Sequence, residues 1–349
     1  MVAVKAAVLH QPKDLRIEDA DRPVAGPGEL VLQVKACGVC GTDQRVYLGT
    51  KSRGIHFPCV IGHEIAGVVV DRGAGVSDFD TGDRVALVPV IPCMRCACCM
   101  RGLDNICLNR IAIGYEFEGG FQQYMTVPQI ALKAGNVIRI PEQMSFDEAA
   151  LIEPFACCVN GSQRSQIPPD GTVVIAGAGP IGLMHLKLAK AFGAAKVIVS
   201  EPARVRMEYA LQMGADIVTD PTQDDLHQAV MDQTDGLGAD SAIMAIGVPE
   251  LVGQLAGMLR KGGTLNLFAG FQEDAQATIT CNLIHYGQIN VTGSAAASRQ
   301  HFQQAMTLLE SGKVTLSDLI THRFALENIH DALDMMTRGQ GLKGIMLPA

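Results

Sequence analysis

Cys93, Cys96, Cys99 and Cys107 lie in the run PCMRCACCMRGLDNIC with C-x2-C-x2-C-x7-C spacing. That spacing lets four thiolates converge on one tetrahedral ion. Zinc favours soft sulfur donors in closed four-coordinate sites, which hold structure because no position is left for a substrate. The competing reading is a set of disulfides or buried thiols. Disulfides need an oxidising compartment, and MVAVKAAVLHQPKDL has neither the apolar core nor the cleavage site of a secretory signal. Structural zinc is therefore the expectation, with Cys98 a bystander.

A second group of metal-ligating types precedes and follows this cluster. ACGVCGTDQRVY offers the thiols of Cys37 and Cys40, PCVIGHEIAGVV the imidazole of His63 and the carboxylate of Glu64, and ALIEPFACC the carboxylate of Glu153. One Cys, one His and one Glu around an ion, with the fourth position open, is the donor set of a catalytic zinc. Singly, each has an ordinary alternative: a small buried thiol, a satisfied core histidine, an acid at a helix start.

The third group is GTVVIAGAGPIGLMHLKLAKAFGAAKVIVSEP, from Gly171. Gly177, Gly179 and Gly182 supply G-x-G-x-x-G. The first glycine allows a tight turn, the second lets a pyrophosphate approach the backbone, and the third lets helix pack on strand. Pro180 and Ile181 complete the phosphate-facing turn. Glu201, 19 residues after Gly182, falls where an acid grips the adenosine ribose. Its charge opposes a 2′-phosphate and favours NAD, while Arg204 and Arg206 nearby could offset it.

These residues need elements to hold them. The β-branched run Thr172–Ala176 predicts a buried parallel strand, Ile181–Phe192 the helix whose N-terminus meets the phosphates, and Lys196–Ser200 the next strand. Strand-like runs follow at Ser241–Ile246 and Thr264–Ala269. The chain has 349 residues, 48% of them hydrophobic, and 37 glycines, enough for two α/β domains with a core each. A net charge of −8 argues against nucleic acid or an anionic membrane as partner, since both are bound through Lys and Arg excess. No apolar run is long enough to span a bilayer, so a cytoplasmic protein is expected.

In order along the chain, CGVCGTD, GHE, the four-cysteine lobe, IEP, GAGPIG and THRF resemble the zinc-dependent medium-chain alcohol and polyol dehydrogenases, the family of sorbitol, 2,3-butanediol and threonine dehydrogenases. The resemblance covers nearly the full length. It implies a GroES-like β-rich catalytic domain over 1–154 and 294–349, with both zincs. A Rossmann domain would span 155–293, with the active site in the cleft between the two. It also implies Cys40, rather than Cys37, and His63 as ligands of the catalytic zinc. Glu153 would be the steadier carboxylate, and Glu64 would exchange with water or substrate. Asp43 falls where an acid orients the ligand histidine, and Thr42 where a hydroxyl meets the substrate oxygen and starts a proton relay. Phe268, Ala269 and Gly270 fall where the chain passes the nicotinamide, and Lys343 where a basic residue reaches the cofactor phosphates.

The activity implied is NAD-dependent oxidation of a secondary alcohol, a polyol or polyol phosphate, to the ketone. Threonine or 2,3-butanediol oxidation is the alternative. A zinc-free quinone-reductase-like protein is the remote one, disfavoured because Cys40 and His63 are both present. A small-molecule alcohol is the partner, in a homotetramer or homodimer. Two departures stand out. Many relatives carry a relay histidine five residues after the ligand cysteine, where this chain has Arg45, and a guanidinium cannot shuttle a proton. Arg45 could instead grip an anionic group of the substrate. Sorbitol-type enzymes also carry an Arg-Tyr pair just past the position of Gly293, where this chain reads GSAAAS. Tyr47, Phe57 and Phe121 remain as candidate walls.

Overall fold

The computed structural model describes residues 3–339 and 341–348. The chain divides into two compact units. One takes in the chain up to Ala156, with Ala296–Glu310 and the stretch from Thr315 onward; the other is Cys157–Ala295 with Ser311–Val314.

The first unit is β-rich. Its main sheet runs in the order Val137–Arg139, Arg84–Leu87, Glu64–Arg72, Leu30–Gly38, Lys343–Leu347, Ile320–Ala325, with Tyr124–Val127 also paired to Leu30–Gly38. Leu30–Gly38 (LVLQVKACG) is buried along its length except at Gln33 and Lys35, which are half-buried. Leu30, Leu32, Val34, Ile65, Phe121 and Met125 are fully buried in the core around it. Its C-terminal end matters most for the site. Gly38 lies opposite Glu64 on one side and Ile345 on the other, so three strands far apart in sequence meet there. The chain then turns into the short helix Gly41–Tyr47. The cysteine lobe hangs outside the sheet as two tight turns, Cys99–Arg101 and Asp104–Ile106. Its base is closed by pairing of Val90–Ile91 with Ile111–Ala112.

The second unit holds a six-stranded parallel sheet ordered Ile217–Thr219, Lys196–Ser200, Thr172–Ala176, Ala239–Met244, Leu259–Leu267, Asn290–Gly293. Numbered along the chain within this unit, that order is the doubly wound 3-2-1-4-5-6 of a dinucleotide fold. Its first helix is Pro180–Ala191, one residue earlier than the pattern predicts. Proline suits the first helical turn, where its missing N–H has no partner to lose. The later strands also start earlier than expected. Leu259–Leu267 contains Gly262 at φ +76°, and its pairing to Ala239–Met244 slips register there. A β-bulge of this kind hides a strand's first half behind a glycine pair.

Candidate active site

The sulfurs of Cys93, Cys96, Cys99 and Cys107 all lie within 4.8 Å of one another. Cys96 Sγ is 3.5 Å from Cys99 Sγ and 3.8 Å from Cys107 Sγ. Thiolates about 2.3 Å from a zinc, at the corners of a tetrahedron, are about 3.8 Å apart. A disulfide would need about 2.05 Å, and all eleven cysteines are free. The donor set therefore fits zinc. Backbone amides prepare it: the N–H groups of Cys93 and Asn109 donate to Cys107 Sγ at 3.2 and 3.4 Å. The amides of Cys99 and Leu108 pull the Cys96 thiol down to about 6, so it ionises readily. Cys98 is not in the group.

The donor atoms of Cys40, His63 and Glu64 make a second group within 4.8 Å. Each is placed by a local rule. Cys40 caps the Gly41–Tyr47 helix, and Asp43 closes the capping box by accepting the Cys40 N–H at 2.9 Å. The other Asp43 oxygen accepts from His63 Nδ1 at 3.1 Å. That bond fixes the tautomer and leaves Nε2 for a metal. Burial alone would push His63 down, but the Asp43 charge and hydrogen bond hold it well above the ordinary histidine range. Cys37, by contrast, is fully buried, its thiol pushed well up by burial, and it lies outside the group.

Glu64 is fully buried. Its Oε1 accepts from Lys343 Nζ at 2.6 Å, and its Oε2 has no partner. A methyl group at Gly38 would stand 1.9 Å from that Oε2, so only glycine leaves the carboxylate its place. A buried carboxylate oxygen without a donor is costly, and a cation held also by Cys40 and His63 would satisfy it. The group fits a catalytic zinc.

One expectation is corrected here. Lys343 does not reach out to cofactor phosphates. It opens the strand Lys343–Leu347 and is buried, with Nζ bonded to Glu64 and to the Val39 carbonyl at 3.0 Å. The negative surroundings of that pocket raise its pKa above the usual lysine value despite burial. Among the described residues, Glu64 is the carboxylate grouped with Cys40 and His63. Glu153 sits in the first turn of Ile152–Arg164, near enough to Tyr115 for its charge to be felt there. Phe121, a candidate wall, is instead a fully buried core ring.

Thr42 and Arg45 lie on one face of the short helix, where Arg45 Nη2 donates to Thr42 Oγ1 at 2.9 Å. Two residues that no pattern singled out complete the surroundings. The Tyr115 ring lies 5.8 Å from the His63 ring, and its phenol is pushed up to about 12 by burial. Lys51 Nζ donates to the Tyr115 hydroxyl at 3.1 Å and lies 4.7 Å from the ring centroid. Both sit on irregular segments, where periodicity carries no signal.

In the second unit, Gly177 has φ +102°, a methyl at Gly182 would stand 1.9 Å from the Gly177 carbonyl oxygen, and a methyl at Gly179 would meet nothing within 4 Å. The turn is thus tight at its first and third glycines and open at its second, as a pyrophosphate cradle requires. Pro180 and Ile181 follow it as the first residues of the helix. Glu201 accepts the amides of Ala178 and Ala203 at 2.7 and 3.0 Å, so it also braces the turn. Arg204 pairs with Glu208, whereas Arg206 keeps a buried Nε with no partner. Phe268 and Ala269 lie just past Leu259–Leu267, their amides on the Met244 carbonyl. The Phe268 ring packs at right angles to His185, 4.6 Å between centroids. In the GSAAAS turn, Ser294 is spent on Asn266.

Residues 26–142 match the alcohol dehydrogenase GroES-like domain, and residues 180–311 the zinc-binding dehydrogenase domain. The chain is 31% identical to sorbitol dehydrogenase of Bacillus subtilis, over 99% of this chain and 97% of that one. It is 33% identical to L-threonine 3-dehydrogenase of Thermococcus kodakarensis, over 95% and 93%. A zinc-binding dehydrogenase from Sinorhizobium meliloti, crystallised with NADP, superposes over the whole of both chains with a TM-score of 0.93 at 30% identity.

Proposed function

The chain belongs to the zinc-dependent medium-chain alcohol and polyol dehydrogenases, and from that premise we propose that it oxidises a secondary alcohol of a polyol or polyol phosphate to the ketone with NAD. The observation that carries this reading is the convergence of Cys40, His63 and Glu64, with His63 oriented by Asp43. Cys40, His63 and Glu64 would hold the catalytic zinc, with Glu153 as a second carboxylate for exchange. Cys93, Cys96, Cys99 and Cys107 would hold the structural one.

When bound, zinc supplies a Lewis acid that makes a hydroxyl acidic near neutrality. The nicotinamide supplies the acceptor for hydride. The chain's residues then position and move protons. Thr42 Oγ1, one lone pair held by Arg45, takes the substrate proton on the other while its own proton passes to water. Arg45 cannot carry it further, because a guanidinium holds its protons. Tyr115 remains a neutral donor, its lone pair occupied by Lys51. Gly177, Gly179 and Gly182 seat the pyrophosphate, and Glu201 and Arg206 the adenosine ribose. Glu201 disfavours a 2′-phosphate, which supports NAD over NADP.

L-threonine is the second reading, favoured by the 33% identity to the archaeal threonine enzyme. A panel of polyols, polyol phosphates, 2,3-butanediol and threonine, followed at 340 nm with NAD or NADP and with or without chelator, separates the two. Chelator-sensitive turnover of polyols with NAD is expected. Silence on every alcohol, in protein holding two zincs per chain, would overturn the reading.

We place the protein in a reducing, cytoplasmic setting, where the thiols of the two metal groups stay available as ligands. No described helix is long and apolar enough to cross a membrane. Pairing of two copies along the edge strand Asn290–Gly293 is supported by exposed Val291, Ile284 and Tyr286 beside it. A homodimer or homotetramer is expected by light scattering, and a monomer would exclude that edge as an interface.

A further inference from the structure

We propose that Arg45 and Lys51 form an anion-recognition site beside the candidate catalytic metal centre, and that the alcohol oxidised there carries a phosphate or carboxylate further along its chain. The inference rests on the dehydrogenase reading above and names its substrate class.

Among the described residues, no carboxylate forms an ion pair with either cation, and the Lys51 N–H donates to the Arg45 carbonyl at 3.2 Å, which sets the two residues side by side. Lys51 is half-buried, and its ammonium donates to the neutral phenol of Tyr115. The negative groups its charge feels are Cys40 and Asp43, and both Asp43 oxygens already accept, from the Cys40 N–H and from His63 Nδ1. Burial, then the charge of Arg45, pushes the Lys51 ammonium below the usual lysine range. Two neighbouring cations with no ion-paired carboxylate repel each other, and an anionic ligand between them would relieve that. Arg45 spends one Nη on Thr42, and the rest of its fork is open for a bidentate oxyanion.

The position suits a substrate tail. Tyr115 bridges the two regions, its ring against His63 and its hydroxyl against Lys51. A hydroxyl at the metal group and an anion at Lys51 would thus flank one aromatic side chain, a few carbons apart. The same feature accounts for the two sequence departures. Arginine replaces the relay histidine because it binds the tail, and the Arg-Tyr pair of sorbitol-type enzymes is dispensable because the tail is held elsewhere.

The test compares a hexitol, its terminal phosphate, the matching aldonate, threonine and 2,3-butanediol on the zinc-loaded enzyme. The anionic member is expected to exceed its neutral counterpart in kcat/KM by about tenfold or more, because charged hydrogen bonds are the strong ones. Which anion wins separates phosphate from carboxylate. In Lys51→Met that ratio falls about tenfold, and Lys51→Arg restores it, an outcome a merely structural lysine would not give. Equal use of neutral and anionic alcohols, with the ratio unmoved in Lys51→Met, overturns the proposal and leaves the dehydrogenase reading standing. If no alcohol is oxidised, the dehydrogenase reading fails by itself. Calorimetry with inorganic phosphate then decides the anion site: binding lost in Lys51→Met supports it, and absent or unchanged binding overturns it.

Discussion

Glu64 and Lys343 show how much one pair of side chains can decide. Two charges out of water, 2.6 Å apart, are tolerable only together. Lys343→Met leaves a buried carboxylate with no counter-ion. In metal-free protein that should cost about 3–5 kcal/mol of stability. The loss should be smaller with zinc bound, because the ion takes over the neutralising role; urea unfolding of both forms measures the difference. His185 makes a different case. It is fully buried, bonded through Nδ1 to Ser162, and its pKa is depressed to about 3 by burial. Its neutral form is the folded one, so its contribution is present above the unfolded pKa of about 6.5 and fades as pH falls towards 3. Between pH 6.5 and 5 this one group should remove about 2 kcal/mol. His185→Phe should flatten that part of the unfolding profile, and an unchanged slope would refute the assignment.

At the scale of elements, the turn between Thr172–Ala176 and Pro180–Ala191 is the most demanding piece. Gly182→Ala places a methyl 1.9 Å from a backbone oxygen that cannot swing away, so helix and strand must separate. NADH affinity, by fluorescence titration, is expected to fall by about tenfold or more, as misplacing a cradle by an ångström does. This turn was legible because strand, glycines, proline and acid are neighbours in sequence, and local chemistry sets their geometry. The cysteine lobe was legible for the same reason. Lys343 was not. Its partner stands 279 residues away, and only the pairing of Ile345 and Met346 with Gly38 and Cys37 brings them together. The place of Glu64 beside Cys40 and His63 follows from strand register and the missing side chain at Gly38. Lys51 and Tyr115 lie on irregular segments, whose contacts no periodicity announces.

For the whole molecule, the two metal groups predict two kinds of zinc. EDTA should take the ion from the mixed Cys40, His63 and Glu64 set first, abolishing turnover with little change in Tm. Metal analysis should then find one zinc per chain instead of two. Removing the second from the four thiolates should lower Tm, because the lobe has no other crosslink. Simultaneous loss of both would contradict the distinction. The long reach from Glu64 to Lys343 also sets an order of events during translation. The thiolate, imidazole and carboxylate of the candidate metal centre leave the ribosome early, while the ammonium that shares the carboxylate follows 279 codons later. A metal ion arriving in that interval meets Glu64 with no competitor; one arriving afterwards must share it. Loading during synthesis and loading of the finished protein are therefore chemically distinct routes to the same enzyme.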